Sequence, residues 1–542
     1  IFFMDKPINK NFITNIIDND NTTNKFSGRV HTRFPPEPNG YLHIGHAKSI
    51  CLNFEIAQLY NGKCNLRFDD TNPEKENIEY IESIKDDIEW LGYKWDSLHF
   101  ASDYFKNLYE YAIKLINDGY AYIDSSTPDE IKQQRGTLTE PGINSKDRDR
   151  SIKDNLQIFE AMKNGEYKDG EYVLRLKIDM ASPNINMRDP VIYRIKKYKH
   201  HRTGNDWCIY PMYDFTHCIS DAMENITHSL CTLEFEDHRV LYDWIIDKID
   251  HDNHPQQIEF SRLSLEHNLM SKRKLNELIE KNYVLGWDDP RMPTISGMRR
   301  RGYTSNSIKD FCNRIGITKK NSSIEMGVLE NTIREELNIS SKRIMGVLEP
   351  IKIVITNYPE NENENIIVVN NPNNLNDGER SISISREIYI DKNDFMEFLE
   401  KKYYRLSPNK EVRLRHAFNI TCNKIIKDEK GEITKLECTY DPISRDMSKG
   451  NKVKGMIHWV DVNNCVNATV NIYDRLFNDS NPLTLENFNK NSLIIKNNAK
   501  LEYNINLNDP NSRYQFERVG YFFQDKNSSS DNDCKVRTSF YS

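Results

Sequence analysis

The sequence has no Cys-x-x-Cys pair, and its ten cysteines are scattered from Cys51 to Cys534. This distribution predicts a reducing compartment rather than a disulfide framework. The residues His200, His201 and Cys208 come closest to a ligand cluster, but we expect no structural metal there. Long apolar runs are lacking too, since no stretch approaches the roughly 20 residues of a membrane-spanning helix. With no recognisable secretory signal, the sequence predicts a cytoplasmic protein without a membrane partner.

The chain also lacks an excess of positive charge, because its formal net charge is −7. That value argues against indiscriminate binding of polyanions, although local patches decide whether a nucleic acid binds. Cationic residues are concentrated at 196–202, 299–301 and 401–415. Each patch taken alone is equally well a solvated face. Three separated patches together favour a long, curved, anionic ligand that crosses several domains.

Residues 33–49 have the pattern of a strand, a turn rich in proline and glycine, and a helix start that carries His43 and His46. Such a helix start directs backbone N–H groups and both imidazoles toward one point, where an anion can bind. A second anion-binding pattern, Met-Ser-Lys-Arg-Lys, occupies 270–274. Either pattern alone is weak, because a lone His-x-x-His is usually a surface or metal-binding feature. Both in this order, across an α/β pattern, favour a nucleotide-binding site.

The first part of the chain alternates strand and helix patterns. We predict strands at 28–34 and 64–68, a helix from 44 to about 60 that ends at 61–62, and a helix over 74–91 capped by Asp70 and Thr71. This spacing indicates a doubly wound parallel sheet, whose ligands bind at the carboxyl ends of the strands. His43, His46 and Asp69 fall at those ends. Beyond about 341, short strands predict β-barrels, with flexible loops at 361–365 and 370–377.

The two patterns and their surroundings resemble a known enzyme family. His-Ile-Gly-His at 43–46 and Met-Ser-Lys at 270–272 are similar to the signatures of class I aminoacyl-tRNA synthetases. Within that class, the segments 34–49, 67–73 and 210–221 closely resemble the glutaminyl-tRNA synthetases, and the resemblance runs from about residue 28 to 524. The second signature departs from the superfamily consensus at Leu269 and Arg273, a variant that this subgroup commonly shows.

The resemblance implies an α/β plus β architecture. It consists of a Rossmann-like, doubly wound catalytic domain, an inserted acceptor-binding domain, a helical connector and C-terminal anticodon-binding β-barrels. The expected segments are a tail at 1–27, the catalytic domain at 28–102 and 213–262, the inserted domain at 103–212, the connector with the phosphate loop at 263–340, a proximal barrel at 341–398 and 480–542, and a distal barrel at 399–479.

The family activates L-glutamine with ATP and Mg²⁺ and then esterifies the 2′-hydroxyl of the terminal adenosine of a glutamine-accepting tRNA. By resemblance, His43, His46 and Lys272 are catalytic. The implied ATP contacts are Glu37, Pro38, Asn39, His43, Ile44, Gly45, His46, Ala47, Lys48, Ser49, Thr232, Arg262, Leu263, Met270, Ser271 and Lys272. A multi-synthetase assembly is a further candidate partner.

The implied glutamine-binding residues are Arg33, Asp69, Tyr213, Cys231 and Gln257. Arg33 suits the substrate carboxylate, Asp69 the ammonium group, and Tyr213 the side-chain amide. Glutamyl relatives have an arginine at the position of Cys231, so the missing cation favours glutamine over the isosteric glutamate. A glutamate-specific or non-discriminating enzyme is the nearest alternative. A non-catalytic tRNA-binding paralogue is another, although the residues of the phosphate site are all present.

Further residues resemble the family's tRNA contacts. Leu138 matches an apolar wedge that opens the first acceptor pair, and Asp237 matches a residue that reads the acceptor stem from the minor groove. The expected contacts to unpaired anticodon bases are Arg343, Lys402, Arg405, Arg413, Gln515 and Arg518. Lys402 departs from the residue that the family has at its position.

Overall fold

The computed structural model describes residues 10–398, 400–446, 448–505, 509, 511–525 and 534–541, the last of these by backbone alone. The chain forms two compact units. The first comprises 1–264 and 309–324, and the second comprises 265–308 and 325–542.

A parallel sheet organises the first unit. Strands His31–Phe34, Lys63–Phe68 and Leu98–Phe100 pair in parallel, and so do His228–Thr232 and Gln256–Phe260. The backbone N–H of Thr227 donates to the carbonyl of His31 at 2.9 Å, so the two sets of strands adjoin. The helices that flank these strands in the chain are Phe12–Thr22, Ile44–Leu59, Ile78–Trp90, Tyr213–Met223 and Arg239–Ile249. This is the doubly wound α/β fold that the sequence predicts.

The acidic helix begins four residues later than its predicted start at 74. Asn77 is its N-cap, because the Asn77 side chain accepts a hydrogen bond from the backbone N–H of Glu79. Asp70, which the sequence pattern assigned to the cap, instead accepts hydrogen bonds from the backbone N–H and the hydroxyl of Ser102. That contact joins residues 32 positions apart, so local sequence could not reveal it.

An antiparallel sheet lies within the segment predicted as an insertion. Its four strands, in order, are Ala121–Asp124, Val173–Leu176, Val191–Ile195 and Ile209–Pro211. The helices Phe105–Asn117, Pro128–Gln134 and Ile152–Lys163 precede or separate these strands. Helix residues such as Phe105 and Phe159 share one buried apolar cluster with strand residues such as Ile192.

The second unit contains helices followed by strands. The helices are Lys272–Glu280, Ile295–Arg301 and Met326–Ser340, and Ser305–Ile315 crosses the boundary between the units in sequence. Of two further short strands, Ser322–Ile324 belongs to the first unit and Leu263–Leu265 spans the boundary between the units in sequence.

Two seven-stranded sheets account for most of the C-terminal region. The first, in order, is Met456–Ile457, Glu411–Leu414, Asn419–Lys427, Ile433–Asp441, Pro350–Ile355, Glu387–Asp391 and Trp459–Asp461. The second is Lys342–Ile344, Arg513–Phe516, Gly520–Gln524, Cys534–Tyr541, Cys465–Tyr473, Leu493–Glu502 and Gly346–Val347. In each sheet the first and last strands are consecutive in the chain, as in a near-closed barrel. The hairpin of Glu364–Val369 and Glu379–Ile384 forms a separate two-stranded sheet.

The strand pairing divides this region differently from the predicted barrels at 341–398 with 480–542 and at 399–479. Pro350–Ile355 pairs with Ile433–Asp441, so a strand expected in the proximal barrel belongs with strands expected in the distal one. Cys465–Tyr473 pairs with Leu493–Glu502 across the expected boundary at 480. Alternation along a strand reports which face is buried but not which strand lies beside it.

The asparagine-rich segment 370–377, predicted as a loose surface loop, contains a buried anchor. The side-chain amide of Asn371 donates to the carbonyls of Ile339 and Ser341 at 2.9 and 3.0 Å. These carbonyls lie at the C-terminus of helix Met326–Ser340, where backbone acceptors lack partners within the helix. Asn371 is 1% exposed, so this part of the loop is fixed by its contact with the helix end.

Within the described residues, no helix is both long enough and apolar enough to cross a membrane.

Candidate functional site

His43 and His46 form a reciprocal cap at the start of helix Ile44–Leu59. The Nδ1 of His43 accepts from the backbone N–H of Gly45, and the Nδ1 of His46 accepts from the backbone N–H of His43, both at 3.1 Å. The two rings lie 3.9 Å apart. Because each Nδ1 is an acceptor, each neutral ring carries its proton on Nε2. Burial, followed by the neighbouring His46 and Arg262, lowers the pKa of His43 well below its ordinary value.

Other residues of the predicted ATP-binding segment face the protein interior. Ile44 and Ala47 are fully buried, and the amine of Lys48 donates to the carbonyl and hydroxyl of Ser261 at 3.0 and 3.2 Å. Burial lowers the pKa of Lys48. These three side chains therefore pack the helix against its neighbours, whereas His43 and His46 are only partly buried.

Arg262 lies near the two histidines, since its charge contributes to the lowered pKa of His43. It forms an exposed ion pair with Glu234. The Leu263 side chain is buried, and Thr232 at the end of its strand is partly buried. Glu37 is exposed and accepts from the Asn39 amide, next to the buried Pro38.

The predicted phosphate loop lies in the second unit. Ser271 is the N-cap residue of helix Lys272–Glu280, and Leu269 before it is buried among Leu275 and Leu278. The leucine that replaces the consensus lysine at 269 therefore anchors the loop in an apolar cluster. Met270, Ser271 and Lys272 follow directly at the helix start, where backbone N–H groups favour anions.

Arg33 lies at the centre of a buried ionic network. Its guanidinium donates to Asp221 at 2.9 Å, to Ser229 at 2.8 Å and to the carbonyl of Leu230 at 2.8 Å. Asp221 also accepts from Arg67 at 2.7 Å. Burial alone would raise the pKa of the Asp221 carboxyl, but Arg33, His217 and Arg67 outweigh it and hold that pKa well below the ordinary value. These contacts occupy most of the Arg33 donors, and its expected contact with a substrate carboxylate stays a prediction.

Asp69 and Tyr213 provide polar groups close to this network. The Asp69 carboxylate is 7% exposed and accepts a hydrogen bond from Thr71 at 3.0 Å. Burial and the nearby Glu37 raise the pKa of Asp69 to about 7. The Tyr213 ring stacks on His217 with the ring centroids 5.0 Å apart. Burial raises the pKa of the Tyr213 hydroxyl, and the charges of Arg33, which lowers this pKa, and Asp69, which raises it, also reach the hydroxyl. Asp69, Arg33 and Tyr213, predicted from distant parts of the sequence, are therefore neighbours.

Cys231 is 9% exposed in strand His228–Thr232. Burial raises the pKa of its thiol to about 12, and the charges that reach it include Arg33 and Arg239. Both cations already have carboxylate partners, because Arg33 binds Asp221 and Arg239 binds Glu259.

Gln257 is 4% exposed, and its amide donates to the carbonyl of Phe235 at 2.9 Å and to Glu259 at 3.0 Å. It thus fixes the segment that follows strand His228–Thr232. Through this contact Gln257 would act on the pocket by positioning Glu259 and the neighbouring backbone.

Leu138 stands on a turn that a buried arginine holds in place. One terminal nitrogen of Arg188 donates to the carbonyls of Arg135, Thr137 and Glu140 at 2.6, 2.9 and 2.8 Å. Arg188 is 2% exposed, whereas Leu138 is 81% exposed. Asp237 is exposed in the short 3₁₀ helix Leu233–His238, and its carbonyl accepts from Asn184.

Two of the predicted anticodon-binding residues converge on one buried acid in the second unit. Asp394, which is 2% exposed, accepts two hydrogen bonds from Arg518 at 2.6 and 2.9 Å. It also forms an ion pair with the Nε of Arg405 at 3.3 Å. Arg405 keeps 44% of its side chain exposed, so part of its guanidinium faces solvent.

The other predicted residues of this group have varied surroundings. Arg343 and Gln515 are opposite each other on paired strands. Arg413 is tied to its own barrel, because it donates to the carbonyls of Ser444 and Ala417 at 2.8 and 2.9 Å. Lys402 is exposed. Arg413 is thus largely engaged within the protein, and Arg343 donates to the side-chain carbonyl of Asn338 at 3.2 Å.

Sequence reasoning missed several residues that organise these sites. His217 and Asp221 belong to the buried network, and the successive four-residue spacing of Tyr213, His217 and Asp221 places all three on one face of helix Tyr213–Met223. That periodicity was a usable signal. Asp394 and Arg188 had no such signal in the local sequence, because their partners lie far away in the chain.

Comparison with known proteins gives a consistent result over most of the chain. Residues 29–339 match the model of the catalytic domain of tRNA synthetases class I (E and Q). Residues 341–441 and 456–525 match two models of the anti-codon binding domain of the same family.

Named relatives extend the match over nearly the full length. The chain is 57% identical to a glutamine--tRNA ligase from Proteus mirabilis over 96% of this chain and 95% of that protein. It is 56% identical to a glutamine--tRNA ligase from Aliivibrio salmonicida over the same shares of the two chains. A glutamate-tRNA synthetase structure from Elizabethkingia anophelis aligns with 58% of this chain and 71% of its own, at 17% identity and a TM-score of 0.42.

Proposed function

Because the chain belongs to the class I tRNA synthetases for glutamate and glutamine, we propose that it is a glutamine--tRNA ligase. It would activate L-glutamine with ATP to glutaminyl-adenylate and transfer the glutaminyl group to the 2′-hydroxyl of the terminal adenosine of its tRNA. Mg²⁺ would accompany the ATP phosphates, as it does in nucleotide sites that lack an all-protein cage. The relatives that carry this name match nearly all of the chain, which supports the assignment.

The paired histidines are suited to phosphate oxygens. Their reciprocal cap leaves Nε2 as the protonated nitrogen of each neutral ring, so both can act as hydrogen-bond donors. We assign His43 and His46 to the phosphates that surround the reacting centre, with Arg262 as a further cation. Lys272, at the start of its helix, would neutralise the leaving pyrophosphate. Preorganised donors of this kind stabilise developing charge without moving during the reaction.

The amino-acid pocket would use one anion and one polar ring. The buried Asp69 carboxylate, close to Arg33 and Tyr213, suits a substrate ammonium group. Tyr213 would contact the side-chain amide, and its stacking on His217 holds the ring in place.

The observation that favours glutamine over glutamate is the pairing of cations around Cys231. Arg33 and Arg239, whose charges reach this thiol, are each neutralised by a carboxylate. A second carboxylate on the substrate would therefore enter without a cation of its own, and an unpaired buried charge is costly. A pocket that hydrogen-bonds an amide can discriminate against an analogue by about 10⁴-fold.

The decisive experiment is ATP-dependent charging of total tRNA with labelled glutamine and, separately, with labelled glutamate. We expect esterified glutamine and no charging with glutamate at matched concentrations. Charging with glutamate would mean that another cation serves the pocket and that the surroundings of Cys231 do not exclude a carboxylate. Tight tRNA binding without charging by either amino acid would instead indicate a non-catalytic paralogue.

The same assay tests the phosphate loop. Lys272→Ala should lower kcat by at least about 100-fold, because it removes a charge that contacts the transition state. Affinity for tRNA should stay close to that of the wild type, and Lys281→Ala, on the same helix's C-cap, should keep normal kcat. A normal kcat in Lys272→Ala would remove this lysine from the proposed role.

A further inference from the structure

A cluster of potential metal ligands lies where two loops of the first unit meet. Asp70 and Glu76 follow strand Lys63–Phe68, and His200 and His201 precede strand Ile209–Pro211 of the inserted sheet. One ligand atom from each of the four side chains lies within 4.8 Å of all the others. Cys208, which the sequence grouped with the two histidines, instead donates to the carbonyls at 162 and 163.

His200 already has partners on both ring nitrogens. Its Nδ1 accepts from the backbone N–H groups of Arg202 and Thr203 at 3.1 and 3.2 Å, so its proton lies on Nε2. The Nε2 donates to the carbonyl of Asp70 at 2.8 Å. A metal-bound histidine binds the ion through one ring nitrogen and usually donates a hydrogen bond from the other. In His200 the unprotonated Nδ1 that could bind an ion already accepts from two backbone N–H groups. His200 is therefore a positioning residue that fixes the backbone at Asp70.

His201 and Glu76 differ, because both ring nitrogens of His201 and the Oε2 of Glu76 are buried without hydrogen bonds, while the other carboxylate oxygen of Glu76 accepts from the backbone N–H of Asn72 at 2.6 Å. The Glu76 side chain is 2% exposed and Asp70 is fully buried. The Nδ1 of His201 lies 3.3 Å from Glu76, and its Nε2 lies 3.6 Å from Asp70. The two nitrogens lie on different sides of the ring, so only one of them can bind an ion that Asp70 and Glu76 share.

The spacing agrees with the dimensions of a zinc site. Zinc bonds to nitrogen and oxygen are about 2.0–2.2 Å long, which puts tetrahedral ligand atoms about 3.3–3.6 Å apart. The distance from the Nδ1 of His201 to the Oε2 of Glu76, 3.3 Å, falls in this range, and one ligand atom from each of Asp70, Glu76 and His201 lies within 4.8 Å of the others. The mixed imidazole and carboxylate donors suit zinc, manganese, iron or cobalt better than magnesium or calcium.

We propose that Asp70, Glu76 and one ring nitrogen of His201 bind a divalent transition-metal cation of the zinc class. Three protein ligands leave a fourth position for water. The cation would tie the inserted sheet to the loop that carries Asp69, the residue directly before Asp70. It would also neutralise two carboxylates that are buried together.

The test uses the full chain after removal of metal with a chelator. Titration calorimetry with ZnCl₂ should show about one tight site per chain, and MgCl₂ should not compete for it. Loading with CoCl₂ should give the visible absorption of low-coordinate Co²⁺. His201→Ala should weaken zinc binding by at least about 100-fold, more than the loss of an outer-shell partner causes.

A matched control is available on the surface of the same unit. His254 lies 3.4 and 3.5 Å from Asp243 and Asp247, so it has similar partners without burial. His254→Ala should keep the wild-type affinity for zinc. Glu76→Gln provides a second test if His201→Ala does not fold, as judged by circular dichroism.

The proposal is overturned if the wild type binds no zinc, or if His201→Ala and Glu76→Gln bind zinc as tightly as the wild type. Zinc binding lost only on modification of cysteine thiols would overturn it as well. Because none of these readouts uses tRNA or ATP, failure here is distinguishable from failure of the proposed ligase activity.

Discussion

Arg33 illustrates how one residue can combine a structural charge with a predicted substrate contact. Its guanidinium is fully buried, and this is tolerable because Asp221 pairs with both Arg33 and Arg67. Removing one member of such a buried pair typically costs about 3–5 kcal/mol, since the remaining charge is left unpaired. A substrate that contacts Arg33 would therefore meet a side chain whose position the fold has already fixed.

His217 should make the protein sensitive to acid. Burial, with Arg33 and Arg67, lowers its pKa to about 3 from the ordinary 6.5, despite the nearby Asp221. Between these values the unfolded chain binds the proton and the folded chain does not, so stability falls as pH drops from about 6.5 toward 3. His217→Gln should flatten the dependence of unfolding free energy on pH by up to about 1.4 kcal/mol per pH unit.

Urea unfolding at several pH values measures this slope. The exposed His254→Gln is the control and should keep the wild-type slope. Comparing slopes rather than single values separates the titration from any general destabilisation. An unchanged slope in His217→Gln would show that this ring is not buried as a neutral group.

Arg405 should act on tRNA rather than on the chemical step. Asp394 orients its Nε, while 44% of the side chain stays exposed. Arg405→Ala should raise the KM for tRNA about 10-fold with little change in kcat, since a base contact is typically worth about 1–3 kcal/mol. Steady-state charging with varied tRNA measures both constants. Arg386→Ala, which removes an arginine paired with Glu360, is the matched control, and an unchanged KM in Arg405→Ala would contradict the assignment.

At the scale of elements, the most accurate expectations concern helix and strand segments with strong local patterns. The helix predicted from 44 to about 60 runs from Ile44 to Leu59, and Asn61 beyond it has the positive φ of 51° that the predicted ending requires. The strand predicted at 64–68 spans Lys63–Phe68. In both cases the hydrophobic residues and the residues that end the helix or strand lie within a few positions of one another in the sequence.

Asn371 should stabilise the end of helix Met326–Ser340. Its amide is the buried donor for carbonyls at this C-terminus, and loss of such a donor leaves acceptors unsatisfied. Asn371→Ala should lower the free energy of unfolding by about 1–3 kcal/mol. Asn363→Ala, in the other asparagine-rich loop and exposed, should change it by less than about 0.5 kcal/mol. Equal effects in urea unfolding would contradict the anchoring role.

At the scale of the whole molecule, the three cationic patches are not equivalent. In the patch at 299–301, Arg300 binds Asp288 and Arg301 is 8% exposed. In the patch at 196–202, Lys196 and Arg202 pair with Glu74 and Asp103. Part of the charge of these two patches is thus paired within the protein. The patch at 401–415 presents two adjacent exposed lysines, Lys401 and Lys402.

The salt dependence of tRNA binding should therefore depend mainly on the last patch. Replacing Lys401 and Lys402 together by alanine should reduce the slope of log K against log salt concentration by about 1 to 2, because each phosphate that a lysine neutralises adds about 0.7–0.9 to that slope. Lys196→Ala should leave the slope unchanged, since this amine is 2.8 Å from Glu74. Filter binding between roughly 50 and 200 mM salt measures the slopes. Equal slopes in all three proteins would show that Lys401 and Lys402 do not bind phosphate.

The sequence by itself determined the two anion-binding signatures, the alternation of strands and helices, and the family to which these residues point. These features depend on neighbours within a few positions, where backbone propensity and capping act directly. Tertiary structure alone decided the pairing of Asp221 with Arg33 and Arg67, the grouping of Arg405 and Arg518 on Asp394, and the division of strands between the two barrels. Each of these joins residues far apart in the chain, and their partners are selected by burial and register, which no local pattern encodes.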